Sequence, residues 1–143
     1  MKELVRFQTD RGLDKKPFDL INETASIFEE LLEAAGLDVP KPNRPALKEV
    51  LKDFTSTLID SGIATIPGDS ISNHEQVDAF ADIITFATGA ILKLGHDPLI
   101  AIKECGREVN SRVGSMVDGK FEKDLSEAAK ANWYKADYSK SEL

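Results

Sequence analysis

Apolar residues recur with a helical period along most of this chain, and four segments carry the pattern. The first spans residues 18–35, where Leu20, Ile27, Phe28, Leu31 and Ala35 share one side. Pro17 or Phe18 suits its first turn, and Gly36 suits the position just past its end. A connector with three prolines, LDVPKPNRP, leads to a second helix over residues 46–61, with Leu47, Val50, Leu51, Phe54 and Leu58 inward. Gly62 ends it, and GIATIPGDSIS reads as a loop. The third helix covers residues 72–94, with Ser72 or Asn73 as N-cap and Gly95 as its stop. Asp97-Pro98 opens a fourth over residues 98–113. GSMVDGKFEKD reads as a turn or short hairpin around Asp118-Gly119, and the extension over 114–143 starts helical and ends as a polar, aromatic tail. No segment alternates with period two long enough to build a sheet. The pattern predicts an all-α fold, one domain over residues 1–143 with a four-helix core.

Composition narrows the classes. The chain has 143 residues, one Cys and two His, which excludes a disulfide framework and a Cys-based zinc site. A net charge of −7 argues against binding polymeric nucleic acid or an anionic lipid surface. The start, MKELVRFQTDRGLDKK, is charged throughout and unlike a signal peptide, and no apolar run approaches a membrane span. The expectation is a soluble, cytoplasmic protein.

The acid surplus has an address. Residues 21–99 hold thirteen acids against five bases, so the whole negative balance lies mid-chain. Two stretches carry no base at all, one between Lys16 and Lys41 and one between Lys52 and Lys93. Exposed helices ordinarily mix signs, because acid–base pairs one turn apart stabilise them. On the first helix, Glu30 lies about 20° and Glu33 about 80° from Glu23 by helical-wheel arithmetic, while Glu29, about 120° away, points further out. This stripe borders the apolar face. By itself it reads as the wet side of an amphipathic helix.

The third helix is apolar almost all round from Val77 to Leu92, which predicts burial. Its polar positions are Asp78, Asp82, Thr85 and Gly89 on one face, with Glu75 one turn earlier. Buried carboxylates cost several kcal/mol each unless they are paired or bind a cation. Either Arg107 or Arg112 folds back to pair the two Asp, or a cation sits there. A set of carboxylate oxygens suits Mg²⁺, with Mn²⁺ as the alternative, and such a site commonly serves a polyphosphate substrate.

Glu29-Glu30-Leu31-Leu32-Glu33 on one helix and Glu75-Gln76-Val77-Asp78 on a later one resemble the MazG-like all-α nucleotide pyrophosphohydrolases, which include dimeric dUTPases, dCTP pyrophosphatases and phosphoribosyl-ATP pyrophosphohydrolase. The continuation DAFADIITFATGAILKLGHDP and the ending EVNSRVGSMVDGKFEKD…WYKADYSK are similar to the phage branch. The resemblance implies Mg²⁺-dependent hydrolysis of a nucleoside triphosphate, a dNTP first, between its α- and β-phosphates. It implies Glu30, Glu33, Glu75, Asp78 and Asp82 as metal ligands, with either the Glu75–Asp78 pair or Asp82 in the motif position. Glu29 or Glu33 would orient the attacking water. Asn110 is the matching candidate near the substrate, and Lys93, Arg107, Arg112 and Lys120 are candidates for the pyrophosphate end. Phe18, Phe86 and Trp133 are candidates to stack on a base, although Phe86 reads better as core.

The same resemblance implies a homodimer or homotetramer in a bacterial or phage-infected cytoplasm, with the aromatic tail packed on a neighbouring copy. Two other readings compete. One is a non-catalytic helical interaction protein whose acids form a solvated or partner-binding face. The other is a pyrophosphohydrolase acting on phosphoribosyl-ATP or a modified nucleotide.

Overall fold

Capping chemistry sets most of the helix boundaries. The carboxylate of Asp19 accepts from the backbone N–H of Ile21 and Asn22. Ser72 and Glu75 cap each other reciprocally, and Asp97 accepts from Leu99 and Ile100. Gly36, Gly62 and Gly95 follow three helix ends with φ of 81°, 71° and 80°, a backbone region where a side chain is strained. The computed structural model describes residues 1–66, 68, 71–117 and 120–143, apart from the side chains of residues 41 and 120. Among these the order is α1 (Lys2–Asp10), α2 (Leu20–Ala34), α3 (Arg44–Asp60), α4 (Asn73–Lys93), α5 (Pro98–Ser111), β1 (Gly114–Val117), β2 (Lys120–Lys123) and α6 (Glu127–Lys130), with 3-10 turns at 13–15, 41–43 and 138–141. The fold is mostly helical with one small sheet, in agreement with the all-α expectation. Pro17 and Phe18 precede α2, because Asp19 takes the capping position. No helix of the described residues is long and apolar enough to cross a membrane.

The chain divides into two units, residues 17–71 and residues 1–16 with 72–143. The first is a helical hairpin of α2 and α3. Its contact face comprises Ile21, Ala25, Phe28 and Leu32 of α2, against Leu47, Leu51, Leu58 and Ile59 of α3. This corrects the expected faces, since Leu20 and Leu31 of α2 and Val50 and Phe54 of α3 are exposed. A two-helix hairpin covers one stripe per helix, and both helices carry apolar residues beyond that stripe.

The second unit is organised around α5. Helix α1 has no counterpart in the sequence reading, because only Leu4 and Phe7 mark its inner stripe amid charged residues. It meets α5 at Gly106, where an added Cβ would lie 2.7 Å from Glu3 Cβ and 3.7 Å from Leu4 Cδ2. Asn110 fastens the same contact by donating to the carbonyls of Glu3 at 2.8 Å and Gly106 at 2.7 Å. Arg11 donates to the carbonyls of Arg112 at 2.9 Å and Val109 at 3.4 Å, satisfying groups that the end of α5 leaves open. Strands β1 and β2 pair antiparallel with Gly114 opposite Lys123, so the expected hairpin is present, while Asp118 and Gly119 lie outside the described residues. Phe121 of β2 meets Phe7 of α1 edge-on, with ring centroids 6.2 Å apart.

The C-terminal residues fold back onto α5 of the same chain. Ser141 is fully buried; its hydroxyl lies 2.9 Å from His96 Nδ1, and its carbonyl accepts from Asp97 N at 2.6 Å. Leu143 N donates to Gly95 O at 2.9 Å.

The Gly106 contact yields a direct test. Gly106→Ala gains helix propensity but forces α1 away from α5, a net loss of about 1–3 kcal/mol. Thermal melts followed by circular dichroism should show the drop. A variant as stable as the parent would contradict the close approach.

Candidate functional site

The structure sorts the acids into two classes. In the first, each carboxylate has an arginine. Glu29 lies at the α2–α3 contact, where Arg44 Nε donates to its Oε1 at 2.9 Å and a second guanidinium nitrogen reaches the same oxygen. Its side chain is only 13% exposed, so the expectation that Glu29 points further out is corrected. The cause is the rotated packing face of α2, which brings position 29 to the border of α3. Lys48, one turn after Arg44, donates to Asn22, so two cations on α3 stitch the hairpin together.

On α5, Glu104 and Glu108 form a second such pair, which the sequence reading missed. Glu104 is 3% exposed, and four groups converge on it. Arg107 Nη1 donates to it at 2.8 Å, Asp137 N at 3.2 Å and the Tyr134 hydroxyl closely, while Lys140 Nζ lies at 3.5 Å. The Tyr134 hydrogen bond, followed by the Asp137 amide and the two cations, outweighs desolvation and lowers the Glu104 pKa to about 2. Glu108 accepts from Ala136 N at 2.9 Å and pairs with Arg112, and the amide is the larger cause of its lowered pKa. The signal was available in the sequence. Two acids four residues apart share α5 with two arginines placed three and four residues after them.

The candidate cations of α5 are therefore engaged within the chain. Arg107 pairs with Glu104 and lies 4.1 Å over the Tyr134 ring. Arg112 pairs with Glu108 and lies 6.0 Å from the centroid of Trp133. Neither pairs with Asp78 or Asp82, so that alternative is corrected. Asn110 holds α1 to α5, and Lys93 occupies the last turn of α4, where a cation suits the helix dipole.

The second class has no such partner. Glu33, Asp78 and Asp82 are exposed and form no ion pair among the described residues. Glu30 is exposed too but does not belong to this class, since it has an interaction of its own. Asp78 and Asp82 stand one turn apart on α4, which has no buried residue, with Val77 67% and Phe86 77% exposed. Both the expected burial of this helix and the core role of Phe86 are corrected. Within its unit, among the described elements, α4 contacts only α5, and many of its apolar residues are exposed. The desolvation argument for a cation at Asp78 and Asp82 falls with that burial. What remains is an unpaired, like-charged pair at i and i+4.

Glu75 acts as a cap. Its Oε2 accepts from Ser72 N at 2.7 Å and from Ser72 Oγ at 2.8 Å, and these bonds lower its pKa. The stripe on α2 and the stripe on α4 belong to different units. Among the described residues, no three His, Cys, Asp or Glu side chains are grouped as a metal site. No family model, curated protein or solved structure matches the chain.

The Glu104 contacts predict an acid dependence. The folded-state pKa lies below the unfolded value, so the contribution is present above about pH 4.5 and is lost as pH falls toward 2. Glu104→Gln should melt below the parent at neutral pH, and the gap should narrow as pH falls through that window. Parallel melting curves for the two proteins at every pH would contradict the assignment.

Proposed function

We propose that the chain is a Mg²⁺-dependent nucleotide pyrophosphohydrolase of the MazG-like type, acting on a nucleoside triphosphate, a dNTP first. One observation carries this reading beyond the motif resemblance. Glu29, Glu104 and Glu108 are each matched by an arginine, whereas Glu33, Asp78 and Asp82 form no ion pair among the described residues. Two like charges one turn apart on α4 repel unless a counter-ion joins them. Carboxylate oxygens are the donor set that a hard divalent ion such as Mg²⁺ or Mn²⁺ prefers.

In this reading Glu30, Glu33, Asp78 and Asp82 hold the metal, and Glu75 stabilises the start of α4. When bound, the ion neutralises phosphate charge and lowers the pKa of a water. The chain itself supplies the carboxylate of Glu33 to orient that water. Assignment of Glu29 to the same task is disfavoured by its pairing with Arg44. The register choice on α4 favours Asp78 with Asp82, since Glu75 is already engaged with Ser72. Assembly as a homodimer or homotetramer, in the cytoplasm of a bacterium or a phage-infected cell, is part of the same proposal. The exposed apolar residues of α2, α3 and α4 support a covering partner.

A second reading draws on a specific observation too. The exposed apolar circumference of α4 suits a helical interaction protein, with the acids forming the rim of its interface.

Pyrophosphate release decides between them. Unmodified and modified (d)NTPs and phosphoribosyl-ATP are incubated with Mg²⁺ or Mn²⁺, and at least one should yield a monophosphate and pyrophosphate. Asp82→Asn and Glu33→Gln should each lower the rate about a hundredfold or more. Turnover of none of these substrates would remove the hydrolase reading and leave the interaction protein.

A further inference from the structure

The α2–α3 hairpin has two unlike sides. On α2, with the buried Ala25 as origin, Leu20, Thr24, Ile27 and Leu31 lie about 100–160° round the helix in one sense. Asn22 and Glu29 lie about 40–60° round in the other sense. On α3, with the buried Leu51 as origin, Val50, Phe54 and Thr57 lie about 60–120° round in the first sense. Arg44, Lys48 and Lys52 lie about 20–100° round in the second. The bonds from Lys48 to Asn22 and from Arg44 to Glu29 join the second sides to each other. The first sides therefore adjoin as well, on the opposite surface of the hairpin.

That opposite surface is apolar and exposed. Leu20, Leu31, Val50 and Phe54 are between 50% and 60% exposed, and residues 20, 24, 27 and 31 follow the four-three-four spacing of a helix seam. Charge is segregated along the same line. Beyond the apolar stripes the next positions are Glu23 on α2 and Asp53 and Asp60 on α3. All three are exposed and form no ion pair among the described residues. The three cations of α3 belong to the other side, where Arg44, Lys48 and Lys52 engage Glu29, Asn22 and Glu49. The result is an apolar groove bordered by acids.

We propose that this surface docks a basic amphipathic helix of another protein, its apolar stripe in the groove and its Lys or Arg residues against Glu23, Asp53 and Asp60. A helix laid there covers apolar area that a two-helix hairpin leaves wet, and its flanking cations meet carboxylates that have no counter-ion on that side. Charge selects among the occupants. A second copy of the hairpin would bring the same three acids against themselves, and α4 of a second copy would bring Asp78 and Asp82. The site needs none of Glu30, Glu33, Asp78 and Asp82, so it goes beyond the hydrolase reading and is tested apart from it. Helix α4 keeps its own exposed apolar residues for self-assembly.

The test is fluorescence anisotropy of a labelled synthetic helix titrated with the full chain, with EDTA present. The probe is a Leu/Lys helix of about 18 residues, long enough to span the seam, and a Leu/Glu helix with the same apolar face is its counter-probe. The Leu/Lys helix should bind saturably, about tenfold or more tighter than the Leu/Glu helix. Phe54→Asp should weaken it about tenfold, although the added charge would strengthen a purely electrostatic attraction. Val50→Asp should repeat that loss, and an unchanged far-UV circular dichroism spectrum checks the fold of both variants. Glu23→Lys combined with Asp53→Lys should reverse the preference between the two helices. Val77→Asp, on α4, should bind as the parent does. Equal binding of the two helices, unchanged binding in Phe54→Asp and Val50→Asp, or a loss in Val77→Asp would overturn the proposal. Sedimentation in which the parent self-associates and Phe54→Asp does not would assign the groove to a second copy and overturn it as well.

Discussion

The buried carboxylate of Glu104 is the constraint on which the second unit depends. It draws the Tyr134 hydroxyl, the Asp137 amide, Arg107 and Lys140 to one point on α5. Glu108 repeats the device one turn later with Ala136 and Arg112. Together they turn a polar tail into the cover of a helix, and that cover ends with Ser141 and Leu143 locked to the α4–α5 turn. A lone buried acid would be destabilising. One whose lone pairs are filled by an amide, a hydroxyl and two cations is a structural centre.

The same engagement limits what α5 can do chemically. Arg107 and Arg112, read in sequence as partners for Asp78 and Asp82 or for a pyrophosphate, are counter-ions to Glu104 and Glu108, and Asn110 is a fastener between helices. The guanidinium of Arg11, which no spacing argument singled out, is held by backbone carbonyls and two aromatic rings instead of an ion pair among the described residues. Its surroundings are created by three separated pieces of chain, at Phe7, at the end of α5 and at Phe121. Long-range convergence of that kind leaves no local periodicity to read.

Local chemistry was legible, and faces were not. Ser72, Asp97, Gly36, Gly62 and Gly95 marked the ends of four helices correctly, because caps and positive φ depend on near neighbours. Helix α1 escaped because its inner stripe holds two apolar residues and an arginine. The inner side of α2 was misjudged because its apolar residues span more than one stripe, and only the partner helix decides which is covered. That rotation moved Glu29 from the water to Arg44 and left Glu33 in the water. For α4, an all-round apolar surface implied burial, yet among the described elements of its unit only α5 contacts it. The candidate site was thus legible as a set of acids. Which of them are already neutralised was not.

The central claim is the proposal that Glu30, Glu33, Asp78 and Asp82 bind one or more divalent ions. Paramagnetic broadening by Mn²⁺ in an amide NMR spectrum of the full chain addresses it most directly. The account predicts saturable broadening around Glu30–Glu33 and around Asp78–Asp82, weakened around Asp78–Asp82 by Asp82→Asn. Broadening confined to one stripe, or spread over every exposed acid without saturation, would contradict it.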